Sequence, residues 1–353
     1  MKQFLLASTV LVAGTSTAFA GGMEVGRFNP GFMFQGGNYA ELSMTSTNMD
    51  VTDDRYSPNG SMLNDMININ ASVNMALNDK ISIGLSHYDA GKIDLSYAGN
   101  GGPLPDAYVD LTLKSTALVL NYSLNDSMFV FGGAKYSTGK ATANVLANPA
   151  GDLVVDSDSA VSPILGVSYA RPDIALRFSL TYQGKVETSH ATTSRIGGVT
   201  SDLAPTQAAL PESLTLDFQT GIAANTLVFG SIHRAKWSDA HIYFDGSTTP
   251  KSTWDDSTNV TLGVGRNLSD AWAVSASVNY EAASENTGNS LLSTTDGSRG
   301  VTLGARYTMD KITVSLGVNH TRFGDKTVTS LAGPGKFTGN SATTVGLNVG
   351  YSF

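Results

Sequence analysis

The chain contains 353 residues, with 22 basic and 30 acidic side chains and a formal net charge of −8. This acidic balance argues against a nucleic-acid partner, and the lack of cysteine excludes a disulfide framework and thiolate metal sites. Only 15% of the residues are charged, while 37 are glycine and Ser, Thr and Asn are abundant, which favours long alternating strands over a helical core.

Residues 1–20 have the pattern of a secretory signal peptide. Lys2 supplies a basic start, Phe4 to Ala13 form an apolar stretch, and Ala18-Phe19-Ala20 is an A-x-A cleavage site. We therefore expect an exported protein whose mature chain begins at Gly21. The alternative, a buried N-terminal helix, fits less well because the apolar run is too short to span a bilayer and ends at small residues.

Apolar and polar residues alternate with a period of two from residue 38 to the C-terminus, which is typical of strands with one apolar face. Many of the apolar rows end on Tyr, Trp or Phe, as in the aromatic girdles of membrane barrels. A soluble β-sandwich is the alternative, but its strands average only about 5 or 6 residues. The predicted strands are 38–51, 66–77, 81–97, 108–123, 127–147, 157–170, 174–190, 212–223, 226–244, 256–267, 271–284, 299–309, 311–328 and 339–353.

Tight turns and long polar loops alternate between these strands. Six connections, such as Asn78-Asp79-Lys80 and Met309-Asp310, are short and contain turn-forming residues. Short periplasmic turns and long external loops are the outer-membrane arrangement, and lipid offers no hydrogen-bond partner to an open strand edge. We therefore expect residues 38–353 to form a single antiparallel transmembrane β-barrel of about 14 strands in the bacterial outer membrane. The seven predicted loops lie around 52–65, 98–107, 148–156, 191–211, 245–255, 285–298 and 329–338.

The rows that do not end on aromatic residues are expected to face the lumen. A basic side chain on the lipid face costs roughly 2–4 kcal/mol near mid-membrane, so basic residues in those rows are assigned to the inside. Their charge would attract a carboxylate head group, which makes them the candidate substrate-binding residues. Ordinary ion pairs within the wall are the alternative interpretation. The basic residues Lys114 and Arg306 are assigned to the same inner rows. The candidate substrate-binding residues are Lys135, Arg177, Lys185, Arg234 and Lys236.

The third predicted strand contains an anomaly. Its outward row begins with Ile81, Ile83 and Leu85 and returns to Ile93, Leu95 and Tyr97, but it is interrupted by polar residues that would be costly on lipid. We expect a bulge or an inward kink there, because Ala90 and Gly91 tolerate one. The alternative is that the segment already lies at the outer rim. The predicted kink comprises His87, Tyr88, Asp89, Ala90 and Gly91.

Four short motifs resemble the FadL/TodX family of outer-membrane transporters for long-chain fatty acids and other hydrophobic compounds. They are Asn29-Pro30 before the first strand, Leu210-Pro211-Glu212, Trp237-Ser238 and the terminal Tyr351-Ser352-Phe353. The resemblance implies passive transport through a hydrophobic lumen, an N-terminal hatch that contains Asn29 and Pro30, and lateral exit at a kink in the third strand. Exit into the membrane would spare the substrate the polar lipopolysaccharide layer. Phe353 would be recognised by the barrel-assembly machinery.

The N-terminus departs from the family pattern. Residues 21–37 form a short hatch-like segment, so that a plug could be vestigial or absent. The family's ligand-binding positions are not recognisable, and aromatic hydrocarbons would suit the same lumen as fatty acids. A general porin for small polar solutes, or a structural or receptor barrel, is the alternative function. Because the five histidines lie near no G-x-S-x-G motif and show no zinc-ligand spacing, we expect no enzyme activity, metal or cofactor.

Overall fold

The computed structural model describes residues 22–104, 106–144, 151–244, 246–252, 254–284, 290–330 and 333–353. The predicted signal peptide, residues 1–20, lies outside the described residues, as do parts of the predicted loops at 148–156 and 285–298. Among the residues described, no helix is long and apolar enough to cross a membrane.

Nearly all of the regular structure is antiparallel β-sheet, accompanied by short 3-10 helices at Pro30–Phe34, Pro172–Ile174 and Trp237–Asp239. The strands are β1 (Tyr39–Asp50), β2 (Met66–Ala76), β3 (Ile81–Ser96), β4 (Tyr108–Ser123), β5 (Met128–Asn144), β6 (Asp152–Arg171), β7 (Leu176–Gln183), β8 (Val186–Ile196), β9 (Val199–Leu210), β10 (Ser213–Ala223), β11 (Thr226–Ala235), β12 (Ser257–Asn267), β13 (Trp272–Glu281), β14 (Asp296–Met309), β15 (Ile312–Gly324), β16 (Lys326–Ser330), β17 (Gly333–Phe337) and β18 (Ser341–Ser352).

The strands close into a barrel of fourteen. Neighbouring strands pair in chain order, β1 pairs with β18, and the β5–β6 pairing completes the ring. Four of the eighteen strands add no new position to the wall: β8 and β9 continue β7 and β10 beyond it, and β16 and β17 form a separate hairpin. The predicted closed 14-stranded barrel is confirmed.

Two of the long connections predicted as polar loops, at 191–211 and 329–338, consist largely of hairpins, β8–β9 and β16–β17. The β8–β9 hairpin turns at Gly197 and Gly198, whose φ angles of 55° and 85° suit a two-residue hairpin turn. Alternating buried side chains, Thr188, His190 and Thr192, continue the strand pattern past the wall. Polarity alone therefore did not mark the end of the strands.

The turns at the opposite end are tight for local reasons. Asn78 and Asn125 each accept two backbone N–H bonds at 2.9 Å, from residues two and three positions further on. Asn225 and Asp310 adopt the left-handed conformation, with φ of 58° and 49°, which these residue types tolerate. Strand β1 begins and β18 ends at this end, which is the periplasmic end of an outer-membrane barrel.

The outward rows of the wall are apolar and exposed. Ile67, Val161 and Leu303 are among these residues. Near the tight turns, the ring centroids of Trp272 and Tyr307 lie 4.8 Å apart. Tyr136 and Tyr280 face outward near the other end. Such a continuous apolar band would be costly in water, whereas lipid accommodates it.

At the external end, apolar side chains from the connections fold over the lumen. Val51, Tyr56, Met62, Ile242 and Phe337 are fully buried there. Together with the inward residues of the neighbouring strands they form the external apolar cluster, which covers the outer mouth of the barrel.

Candidate substrate passage

Strand β3 contains a β-bulge at the predicted kink. Its register against β4 passes from Asp89 opposite Lys114 to Gly91 opposite Leu113, so Ala90 is the extra residue. A bulge of one residue reverses the direction of all later side chains. Consequently Ile93, Leu95 and Tyr97 are buried on the inside, and the prediction that they return to the lipid row was wrong.

The polar side chains before the bulge have partners on the outer face. His87 Nδ1 lies 2.9 Å from Thr116 Oγ1, and Asp89 Oδ1 lies 3.5 Å from Lys114 Nζ. The second carboxylate oxygen of Asp89 accepts a bond of 3.3 Å from the backbone N–H of Ile69 in β2. Asp89 thus occupies part of the edge of β2 where a neighbouring strand would otherwise pair.

The wall is interrupted between β2 and β3. Their ladder stops at Ala71 opposite His87, although β2 continues outward to Met66 and β3 to Ser96. The next backbone bond between the two sides runs from Asn64 to Asp94, at 2.9 Å. Beside residues 88–93, therefore, β3 has no pairing with β2.

Residues 22–37, here called the N-terminal segment, fill this interruption from the inside. Val25 N–H donates to Ala90 O at 3.1 Å, and Lys92 N–H donates to Met23 O at 2.8 Å, so Glu24 lies directly opposite Gly91. The approach is close: a Cβ at Gly26 would lie 2.5 Å from Asp89 O. Gly26 is therefore needed for the contact.

Apolar packing holds the rest of the N-terminal segment inside the barrel. Phe28 contacts Phe131 at 6.4 Å and Phe32 at 6.0 Å between ring centroids, and its N–H donates to Gln183 Oε1 at 3.3 Å. Asn29 caps the helix that begins at Pro30 by accepting the Gly31 N–H at 2.8 Å. Short as it is, the segment lies packed within the lumen.

One ion pair fixes the segment to the opposite wall. The Glu24 carboxylate lies 2.9 Å from Nε2 of His233 in β11. Burial opposes the ionisation of Glu24, but the pair with His233 and the charges of Arg27 and Lys135 hold the pKa of its carboxyl below the ordinary value. Neither Glu24 nor His233 was identified from the sequence.

Two of the five candidate basic residues face the lumen as predicted, and both lie beside the N-terminal segment. Lys135 is buried in β5 and interacts electrostatically with Glu24. The Arg177 guanidinium lies 5.2 Å from the centre of the Phe34 ring and donates to Gln219 Oε1 at 3.4 Å.

The other three candidates face outward, so their predicted direction was wrong. In β11 the row that ends at Trp237 is the inner one, because Trp237 packs on Trp254 at 5.0 Å instead of on lipid. Arg234 and Lys236 therefore share the outer row with Ile232, and their side chains are 63% and 51% exposed. Lys185 faces outward because the break between β7 and β8 reverses the alternation.

Each of these three outer cations has an acidic partner. Lys185 pairs with Glu187 at 2.6 Å and Arg234 with Asp256 at 3.7 Å, while Lys236 pairs with Glu212. Lys185, Arg234 and Lys236 thus form ion pairs on the outer surface, as in the alternative interpretation that such residues make ordinary ion pairs within the wall.

Solved structures share this architecture. The chain aligns with a FadL homologue from Pseudomonas aeruginosa over 98% of both chains, with a TM-score of 0.75 and 13% identity. It aligns with the toluene transporter TodX of Pseudomonas putida over 96% of this chain and 97% of that one, with a TM-score of 0.66 and 14% identity. The chain has the FadL/TodX fold. The FadL/TodX fold also includes the toluene transporter TbuX of Ralstonia pickettii, with a TM-score of 0.64, 13% identity and 96% and 97% of the two chains covered.

The sequence itself matches no protein-family model and no curated protein. The resemblance predicted from short motifs is thus confirmed by the FadL/TodX fold, at an identity at which individual ligand positions do not transfer.

Replacing Glu24 with Gln is expected to loosen the N-terminal segment, because the buried His233 would lose its charged partner. A hydrogen bond to a charged group contributes about 1.5–3 kcal/mol, which corresponds to roughly ten- to hundredfold faster amide exchange at residues 23–25. Glu187→Gln is the matched control, since it breaks an exposed ion pair worth little. Equal exchange rates in both variants would contradict this role of Glu24.

The same pair predicts a pH dependence. The folded-state pKa of Glu24 is lowered, so its contribution is complete above the unfolded carboxyl pKa of about 4.3 and is lost as the pH falls through the lowered value. After correction for intrinsic exchange, opening of the segment should therefore increase only below about pH 4. The Glu24→Gln variant should lack this acid step.

Proposed function

We propose that this protein is an outer-membrane channel through which hydrophobic compounds, long-chain fatty acids among them, diffuse and leave sideways at β3. The observation that carries this proposal is the interruption of the wall beside residues 88–93, filled by the N-terminal segment. A porin for polar solutes needs a closed wall around water, whereas a hydrophobic solute gains by leaving through a side opening into lipid.

The apolar interior supports the first part of the route. The external apolar cluster would take up a hydrophobic solute from the outside, and Leu111, Leu113 and Ile164 continue the apolar surface on the inner wall. Leu210 then lies beside the bulge, where a Cβ at Gly91 would be 3.1 Å from its Cδ2. These side chains would provide an apolar path from the external apolar cluster to the interruption. The N-terminal segment, with Asn29 and Pro30, acts as the hatch that must move.

Lys135 and Arg177 would receive the carboxylate of a fatty acid in this route. They are the two predicted basic residues that face the lumen. Lys135 interacts with Glu24 and Arg177 contacts Phe34, both in the N-terminal segment. A bound carboxylate would therefore compete with that segment for the same cations. Two of the structural neighbours are named toluene transporters and a third a FadL homologue, which supports apolar solutes with or without a charged head. We propose no catalysis and no cofactor.

Binding of a fluorescent long-chain fatty acid to the refolded barrel in detergent micelles tests this function. We expect saturable binding that Lys135→Gln/Arg177→Gln weakens about tenfold, since two charge-assisted bonds to the carboxylate would be lost. Arg234→Gln/Lys236→Gln removes the same charge from the outer face and should bind normally. Absence of saturable binding, together with steady ion conductance in planar bilayers, would leave a general porin.

The C-terminus is proposed to recruit the barrel-assembly machinery. Phe353 and Tyr351 stack at 5.9 Å on the outer face of β18, where a partner could reach both rings. Deleting Phe353 is expected to lower the amount of folded barrel in outer membranes severalfold. Heat-modifiable migration on a gel measures that amount. Refolding in detergent, which needs no machinery, should be unchanged; an equal loss there would contradict the proposal.

A further inference from the structure

Two arginines lie directly opposite each other on the outer face of the barrel. Arg299 of β14 pairs in register with Arg322 of β15, and both side chains are exposed. They belong to the outward rows, since Val301 and Val318 on the same faces are exposed apolar residues.

This pair has no counter-ion within the described part of the chain. Neither guanidinium has an ion pair or hydrogen bond there. The outward cations Lys114, Arg234 and Lys236, by contrast, each lie beside a carboxylate. Like charges directly opposite on a sheet are destabilising, so an anion held between the two arginines would relieve an existing repulsion.

The position of the two arginines along the barrel axis shows which layer of the membrane surrounds them. Tyr280, an outward residue that is 60% exposed, lies directly opposite Arg299 on the next strand. One residue pair further into the band, Val301 faces His320, and Leu303 faces Val318 beyond it. The arginines therefore lie at the external edge of the apolar band, beside the aromatic girdle, where lipid head groups are found.

We propose that Arg299 and Arg322 bind a phosphate of lipid A, the lipid anchor of lipopolysaccharide, in the outer leaflet. A guanidinium presents a fork of donors that matches phosphate oxygens, and two forks from adjacent strands can hold one phosphate from two sides. Val301 and Val318 lie below to pack against acyl chains. The inference rests on the outer-membrane location in the proposed function, but not on the transported substrate.

Native mass spectrometry of the full barrel in non-ionic detergent with added diphosphoryl lipid A tests this site. We expect a one-to-one adduct whose affinity falls about tenfold or more in Arg299→Gln/Arg322→Gln, and less in Arg299→Lys/Arg322→Lys, which retains the charge without the fork. Arg195→Gln/Lys251→Gln, which removes two exposed cations from the external connections, is the charge-matched control and should bind as the wild type does.

Equal lipid A binding by the double Gln variant and the wild type would overturn the site. So would an equal loss in the control, or displacement of lipid A by excess inorganic phosphate, which would indicate a simple anion site. The single variants Arg299→Gln and Arg322→Gln, each expected to weaken binding severalfold, keep the test open if the double variant fails to fold. Fatty-acid binding should be unchanged in all of them, so failure of the transport proposal would be seen separately.

Discussion

Joining residue 24 to residue 91 by a disulfide is expected to stop lateral exit. Glu24 and Gly91 are directly opposite in an antiparallel bridge flanked by backbone hydrogen bonds, an arrangement with a Cα separation of about 4.5 Å, which a disulfide accommodates. The chain contains no cysteine, so Glu24→Cys/Gly91→Cys would form a single defined bond. The N-terminal segment would then stay on β3.

Uptake of a fluorescent long-chain fatty acid by cells that depend on this protein measures the effect. Oxidised cells should take up at least about tenfold less fatty acid than cells treated with a reductant. Thermal motion opens the ordinary hydrogen bonds that hold the segment, but it does not break a covalent bond. The single variants carry the same side-chain changes without the bond and should not respond to reductant. Unchanged uptake in the oxidised double variant would contradict exit beside β3.

Deleting Ala90 is expected to close the interruption by a different means. Without the extra residue, β3 would continue in regular alternation and could extend its ladder to β2 beyond His87. Because Gly91, opposite Leu113, would then follow Asp89 directly, Ile93 and Leu95 would stay inward and Lys92 and Asp94 outward. We expect a folded barrel whose fatty-acid uptake falls at least about tenfold, since the opening between β2 and β3 is lost.

The matched control for this deletion is removal of Gly99, which lies in the external connection after β3 with nothing within 4 Å of an added Cβ. That variant should retain uptake. If the Ala90 deletion folds and transports normally, solutes must leave by another route. Heat-modifiable migration distinguishes loss of transport from loss of the barrel.

The barrel was predictable because the signal is long and repeated. A period of two over many strands, aromatic ends and alternating connections each indicate the same architecture, and the apolar face has one physical cause, the lipid. The anomaly at His87 and Asp89 was visible for the same reason: polar side chains interrupt an apolar row that lipid requires to be continuous. The bulge found there confirms that argument.

The direction of individual side chains was less predictable. Parity arguments hold only until an irregularity occurs, and both the bulge at Ala90 and the break at Gly184 invert the rows that follow. Trp237 misled in another way, because an aromatic residue inside the external apolar cluster has the same sequence pattern as one on lipid. Toward the external end, apolar side chains lie on both faces of the wall, which removes the usual contrast there.

Glu24 and His233 were missed because they are 209 positions apart. No local pattern connects a lone carboxylate before the barrel with a histidine in β11, and only the closed ring brings them together. A signal was nevertheless present: within the short segment before the first strand, Glu24 is the one acidic residue among apolar neighbours, and a buried carboxylate requires a partner.

The β8–β9 hairpin offers a position at which the protein can be labelled on living cells. Its strands rise beyond the wall, each with eleven or twelve residues, or roughly 35–40 Å of extended chain. At the tip, Gly197 and Gly198 have open space around them, so extra residues would meet no neighbour. An epitope tag placed between them would be displayed on intact bacteria, where antibodies could count the folded barrels and follow them across the cell surface.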